Sequence, residues 1–209
     1  MYSKIPILAA IFLFCTCSSS PQINYPDHPR SILVMPPVNL SVDIAAPVTF
    51  LATSTIPLAE AGYYVIPVAL SAQMFIENGV TVAEEAHGIP YARLHEIFGA
   101  DSALYITIIQ YGAIYYVLGS AVTAQASAKL VDLRTGRELW SGRVDVTENP
   151  SSASNRGILG TLVGAVIDQI AHTLSNRAYT VGRNANYKLL SPGSKNSILY
   201  GPYHPLYGP

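Results

Sequence analysis

The chain has 209 residues, half of them hydrophobic and only 12% charged, with a formal net charge of −1. That composition supports one ordinary core and excludes a chain disordered throughout. Twelve basic residues against thirteen acidic ones exclude the basic footprint of a nucleic-acid binder, so no nucleic-acid partner is expected.

The N-terminus has the layout of a short secretory signal. Lys4 supplies a positive start, and Ile5 to Phe14 is almost wholly apolar. An apolar core of about 7–15 residues followed by small residues is the pattern of such signals. A transmembrane helix needs about 20 apolar residues. Both cysteines of the chain, Cys15 and Cys17, follow in "IFLFCTCSSS". A cysteine at this place resembles the lipobox of bacterial lipoproteins, in which the thiol is acylated and the signal is cut before it. The lipobox wants a small residue before the cysteine. Thr16 is small and Phe14 is not, so Cys17 is the expected lipidation site and Cys15 the alternative. Ser18 resembles the sorting pattern for the outer membrane. The expected organisation is a signal peptide over residues 1–16, a flexible tether over 17–29 and an α/β periplasmic domain over 30–182. An extended Pro/Tyr-rich tail then covers 183–209.

The first strand is expected at Ser31 to Met35, where "SILVM" precedes two prolines. "NLSVDIAAP" reads as a loop. A helix with Phe50, Leu51, Leu58 and Ala61 on its inner face follows. Pro57 either kinks or restarts it, and Gly62 stops it. Tyr63 to Pro67 reads as a second strand and Ala69 to Asn78 as a helix stopped by Gly79. Pro90 suits the start of the next helix, with an inner stripe of Leu94, Ile97 and Phe98 and a stop at Gly99. Ala103 to Tyr111 is almost continuously apolar, as a strand buried on both faces would be.

The period then changes. Val122, Ala124, Ala126, Ala128 and Leu130 alternate with Thr123, Gln125, Ser127, Lys129 and Val131, the mark of a strand with one wet face. "DLRTGREL" is a turn, and Trp140, Val144 and Val146 continue the inner face on the return. The last helix runs from about Arg156 to Asn176, capped by Ser154 or Asn155. The order β-α-β-α-α-β-β-β-α predicts an α/β (α+β) single domain. Its mixed sheet has helices packed on it and an antiparallel hairpin near 119–148. After the helix, tyrosines and leucines among prolines and glycines predict a segment, Tyr187 to Tyr203, that is extended and docked. It docks on its own domain or across a dimer; the alternative is a flexible tail that docks only on a partner.

Four segments together carry a resemblance: "PRSILVMPPVNLSVD", "PLAEAGYYVIPVAL", "EIFGADSALYITI" and "AKLVDLRTGRELWSG". With the lipoprotein signal and the closing "GPYHP", they resemble a family of bacterial lipoproteins of unknown function, of the meningococcal genome-derived antigen type. The resemblance implies a fold similar to the N-terminal domain of the Tol-system translocation protein, and to periplasmic domains of curli-secretion-channel type lipoproteins. Such domains bind proteins or assemble on the envelope. The family has no established catalytic residues to carry over.

Site chemistry is sparse. Glu84, Glu85, His87, His95 and Glu96 cluster in sequence, but their spacing matches no H-E-x-x-H pattern, and a solvated loop and helix face is expected instead of a metal site. No G-x-S-x-G elbow or phosphate-cradling loop is present. His172 reads as structural. Gly157, Gly160 and Gly164 share a helix face that either packs tightly on the sheet or supports self-association as a homodimer. The expected function is a non-enzymatic adaptor or accessory of an envelope transport or secretion assembly, without cofactor or metal. It is lipid-anchored in the outer membrane and faces the periplasm, with surface exposure as the alternative location. Expected partners are the membrane, through the lipid, and envelope proteins such as a curli-secretion-channel type lipoprotein. The alternative is a small-ligand or lipid carrier between membranes, which needs a deep apolar cavity.

Overall fold

Three apolar residues in a row, Ile32 to Val34, give β1 (Ser31–Val34), the first element of the computed structural model, which describes residues 28–116, 119–148, 166–193 and 197–208. Ile32 and Val34 join one buried cluster, Leu33 and Met35 another. A strand whose alternate residues are both buried lies inside a sheet covered on both faces. β2 (Val38–Asn39) follows, then β3 (Tyr64–Val65), β4 (Ser102–Tyr116), β5 (Gly119–Asp132) and β6 (Glu138–Glu148). They form one mixed sheet in the order β3-β1-β4-β5-β6, with β2 also paired to β4. The first three strands pair in parallel, and β4, β5 and β6 run antiparallel. The α+β class and the hairpin are as expected from the sequence.

Helices lie on both faces. α1 (Ala46–Thr53), α2 (Thr55–Glu60) and α6 (Val166–Leu190) supply Phe50, Leu58, Val181 and Leu189 to the first cluster, against Ile106, Ala126 and Leu130. α3 (Val68–Glu77), α4 (Ala83–His87) and α5 (Tyr91–Phe98) supply Phe75, Ala86 and Leu94 to the second, against Ala103, Tyr105 and Leu133. α5 ends where Gly99 takes a left-handed conformation, φ 64°, which a side chain would resist. Pro57 restarts the preceding helix instead of kinking it, and α1 and α2 meet at Ser54.

Several local expectations are corrected. The loop after β1 contains β2, and "AEEAH" forms α4. β4 continues past Tyr111 to Tyr116. Ile97 is 44% exposed: Leu94 and Phe98 face inward as expected, but the buried side of α5 is completed by Tyr91 and not by Ile97. Val131 is buried, not wet: alternation puts it on the face opposite Leu130, and there the second cluster, with Ala103 paired beside it, covers it. The largest correction is α6, which does not stop at Asn176. It continues to Leu190, so residues 183–190 belong to the helix and an extended tail starts only at Ser191. Val181, Ala185 and Leu189 form its buried stripe at four-residue spacing.

The hairpin turn is built around a carboxylate. Asp132 Oδ1 accepts the N–H groups of Arg134 (2.9 Å) and Thr135 (2.7 Å) and the Thr135 hydroxyl (2.8 Å). Burial works to raise the Asp132 pKa. Hydrogen bonds from Thr135 and Arg134, with the Arg134 charge, outweigh it and hold the group below its ordinary 3.8. A depressed carboxylate contributes stability that is complete above the unfolded-state pKa and lost as pH falls through the lower folded one. Asp132→Asn is therefore expected to lower stability near neutral pH and to flatten the decline below about pH 4, as followed by urea midpoints across pH.

Candidate interaction surface

The segment after β2 turns every polar group inward and every large apolar group outward. Asn39 Oδ1 accepts the Ser41 N–H (3.1 Å) and hydroxyl (2.7 Å), and its Nδ2 donates to the Asp43 carbonyl (2.9 Å). Asp43 Oδ1 accepts the Ala45 N–H (2.9 Å), and the Leu40 N–H donates to Ile108 on β4 (2.9 Å). Self-bonding of this kind, by Asn, Ser and Asp to nearby backbone, is what fixes a loop without a helix or ladder. The residues between them, Leu40, Val42 and Ile44, are left outside; Val42 is 99% exposed and Ile44 92%.

α1 continues this surface. Its inward residues are Ala46, Thr49, Phe50 and Thr53. On the outward side Val48 is 70% exposed and Ala52 is exposed as well. A helix apolar on both sides belongs between two layers, and among the described residues α1 packs on the sheet and α6 by its inward side, with Val48 left uncovered. From Ser31 to Ala59 the only charged residue is Asp43. Beyond α1, a groove of about 590 Å³ runs between Ala52, Ile56 and Pro57 on one side and Tyr179, Arg183, Tyr187 and Lys188 of α6 on the other. The Tyr187 hydroxyl donates to Glu60 at the rim (2.8 Å). An apolar centre with a polar rim is the anatomy of a protein interface.

Buried polar contacts hold the surface in place. Asn186 is fully buried, and its Nδ2 donates toward the Phe50 carbonyl (2.9 Å), Thr53 Oγ1 (2.9 Å) and Ser54 Oγ (3.0 Å). The junction of α1 and α2 is thereby tied to α6. Gly182 lets the two layers close, since a Cβ there would stand 2.6 Å from the Tyr111 ring. A C-terminal strap closes the far side: the Gly201 and Tyr203 N–H groups donate to Ala61 and Gly62, and the Tyr63 hydroxyl to Leu199.

The sequence cluster of acids and histidines is not brought together. His87 Nε2 lies 2.8 Å from the Pro36 carbonyl, with burial lowering its pKa, while His95 Nδ1 lies 2.7 Å from the Ala100 carbonyl. Glu96 pairs with Arg93, and Glu84 and Glu85 are exposed. Among the described residues no three His, Cys, Asp or Glu side chains are placed to hold a metal ion. No described helix is long and apolar enough to cross a membrane. Cys15, Cys17, Gly157, Gly160 and Gly164 lie outside the described residues, as does the side chain of His172.

Comparison with known proteins decides the family. The profile of the family described as "Putative lipoprotein GNA1162-like" matches residues 25–203. The chain belongs to the GNA1162-like lipoprotein family. A family member from Neisseria meningitidis serogroup B is 46% identical over 201 residues, covering 93% of each chain. The crystal structure of lipoprotein GNA1162 from Neisseria meningitidis is similar at a TM-score of 0.57 and 49% identity, covering 69% of this chain and 99% of that one. A PelC dodecamer from Paraburkholderia phytofirmans reaches a TM-score of 0.47 at 13% identity, over 76% of this chain and 84% of that one. The resemblance to the GNA1162-like family and the α+β fold read from the sequence are thus borne out. The expected likeness to the Tol-system domain is not carried by these matches. The apolar loop was legible in principle: "NLSVDI" alternates polar and apolar, in a stretch almost without charge.

Proposed function

We propose that this lipoprotein-family chain is acylated at Cys17, held in the outer membrane facing the periplasm, and acts as a non-enzymatic adaptor of an envelope transport or secretion assembly. The observation that carries the reading is the uncharged apolar face of Leu40, Val42, Ile44 and Val48, continued by Ile56 at the α6 groove. A contiguous apolar patch with a polar rim marks a surface that another molecule covers. The lipid supplies location, and residues 17–29 supply reach. A curli-secretion-channel type lipoprotein is the class of partner that the sequence resemblance suggests.

Photo-crosslinking in intact envelopes tests this reading. A crosslinker at Val42 or Val48 is expected to give a discrete adduct with an envelope protein. The same group at Glu85, exposed on the opposite helix layer, is expected to give none. Adducts with lipid alone, or equal labelling from both faces, would overturn the adaptor reading.

A further inference from the structure

The two edges of the sheet differ. β3 has two residues, whereas β6 has eleven and contains no proline. Among the described residues no strand pairs with the outer side of β6. A long edge of this kind is a template for another strand unless something blocks it. A groove of about 1010 Å³, lined among others by Trp140, Val144, Lys188 and Leu189, separates the strand from the end of α6 and leaves it approachable.

Alternation sorts the side chains of β6. Trp140, Gly142, Val144, Val146 and Glu148 stand in register with Leu130, Ala128, Ala126, Ala124 and Val122, on the α6 face. Ser141, Arg143, Asp145 and Thr147 take the other face. Arg143 and Asp145 are both exposed, and Gln125 Nε2 already holds Asp145 Oδ2 at 2.9 Å.

We infer that β6 pairs antiparallel with β6 of a second copy, about a two-fold axis at Val144, so that the two sheets become one. In that register Arg143 stands opposite Asp145 of the second copy, and Asp145 opposite its Arg143. Ser141 meets Thr147, and Gly142 meets Val146. Opposite charges and hydroxyl pairs directly across an antiparallel ladder are favourable, and like charges are not. Moving the axis to Arg143 or to Asp145 sets identical charges against each other, so the strand is self-complementary in one register and repelled in its neighbours. The ring of Trp140 lies over Gly142, where an added Cβ would collide with it. An aromatic side chain covering an edge glycine keeps such a strand ordered for pairing. The contact is isologous, as closed two-fold dimers require. It deepens the expected self-association by moving it from the glycine helix to the strand edge. The adaptor reading does not depend on it, since Val42 and Val48 lie elsewhere.

Sedimentation equilibrium of the full chain in a non-ionic detergent tests the proposal. The wild type is expected to be a dimer. Arg143→Asp and Asp145→Arg, each of which sets like charges opposite at two symmetric places, are expected to weaken association about tenfold or more. The double variant carrying both changes restores opposite charges in the same register and is expected to regain wild-type association. A monomeric wild type, single variants that associate like the wild type, or a double variant that stays weak would each overturn the pairing. Crosslinking from Val48 in the Arg143→Asp variant reads the adaptor surface separately.

Discussion

Asn186→Asp is expected to destabilise the domain by about 3–5 kcal/mol at neutral pH, because it buries an unpaired carboxylate. The substitution barely changes volume, so packing is not the cause. Asn186 Nδ2 faces the Phe50 carbonyl and the oxygens of Thr53 and Ser54. Those hydroxyls in turn donate to Thr49 and Phe50 carbonyls, at 2.7 and 2.6 Å. A carboxylate at 186 would meet acceptors where the amide offers a donor. Asn186→Ala loses the hydrogen bonds without adding a charge, and a smaller loss of about 1–3 kcal/mol is expected. The sign with pH separates the two. Burial raises the pKa of an acid, so the penalty for Asp is absent below the unfolded value of about 3.9 and grows as pH rises to the folded one. Urea midpoints of the Asp variant should therefore approach the wild type near pH 4 and fall away at pH 7, while the Ala variant shows no such trend. Parallel behaviour of the two variants across pH would remove the buried-acceptor account.

Gly62→Ala is the second large effect, and it should release the C-terminal strap. Gly62 has φ 89°, which costs a residue with a Cβ about 1–2 kcal/mol. The added Cβ would also run into the backbone of His204. Backbone cannot step aside as a flexible side chain does, so the strap must move. The Gly201 and Tyr203 N–H bonds, 2.7 and 3.0 Å, and the Tyr63 bond to Leu199, 2.8 Å, are lost with it, and buried Ile198 is exposed. A total loss of about 3 kcal/mol is expected, with faster hydrogen exchange confined to the strap. Gly79→Ala is the control: its φ is 81°, but nothing lies within 4 Å of an added Cβ. Equal effects at the two glycines would show that the strap contributes nothing.

Elements whose signal is local are legible in the sequence. The almost continuous apolar run of β4 meant burial on both faces, and the alternation from Val122 to Leu130 meant one inner face. Gly62, Gly79 and Gly99 meant helix ends, and each has a positive φ. The quoted segments together were enough for the family. Tertiary structure decided the features whose partners lie far along the chain. Gly182 and Asn186 are placed by Tyr111, Thr49 and Phe50, which no local window contains. The Val181, Ala185 and Leu189 stripe of α6 lies past the helix end expected at Asn176. Val131 looked wet because the helix layer that covers its face comes from elsewhere in the chain. The candidate surface was half legible. The lack of charge from Ser31 to Ala59 is written in the sequence, but periodicity cannot say which apolar side chains the fold leaves uncovered. That depends on α6 reaching across one side of α1 and on no described element reaching the other. That no described strand pairs with the outer side of β6 is likewise a property of strand order. Strand order is chosen by the packing of both helix layers together, not by the eleven residues of the strand.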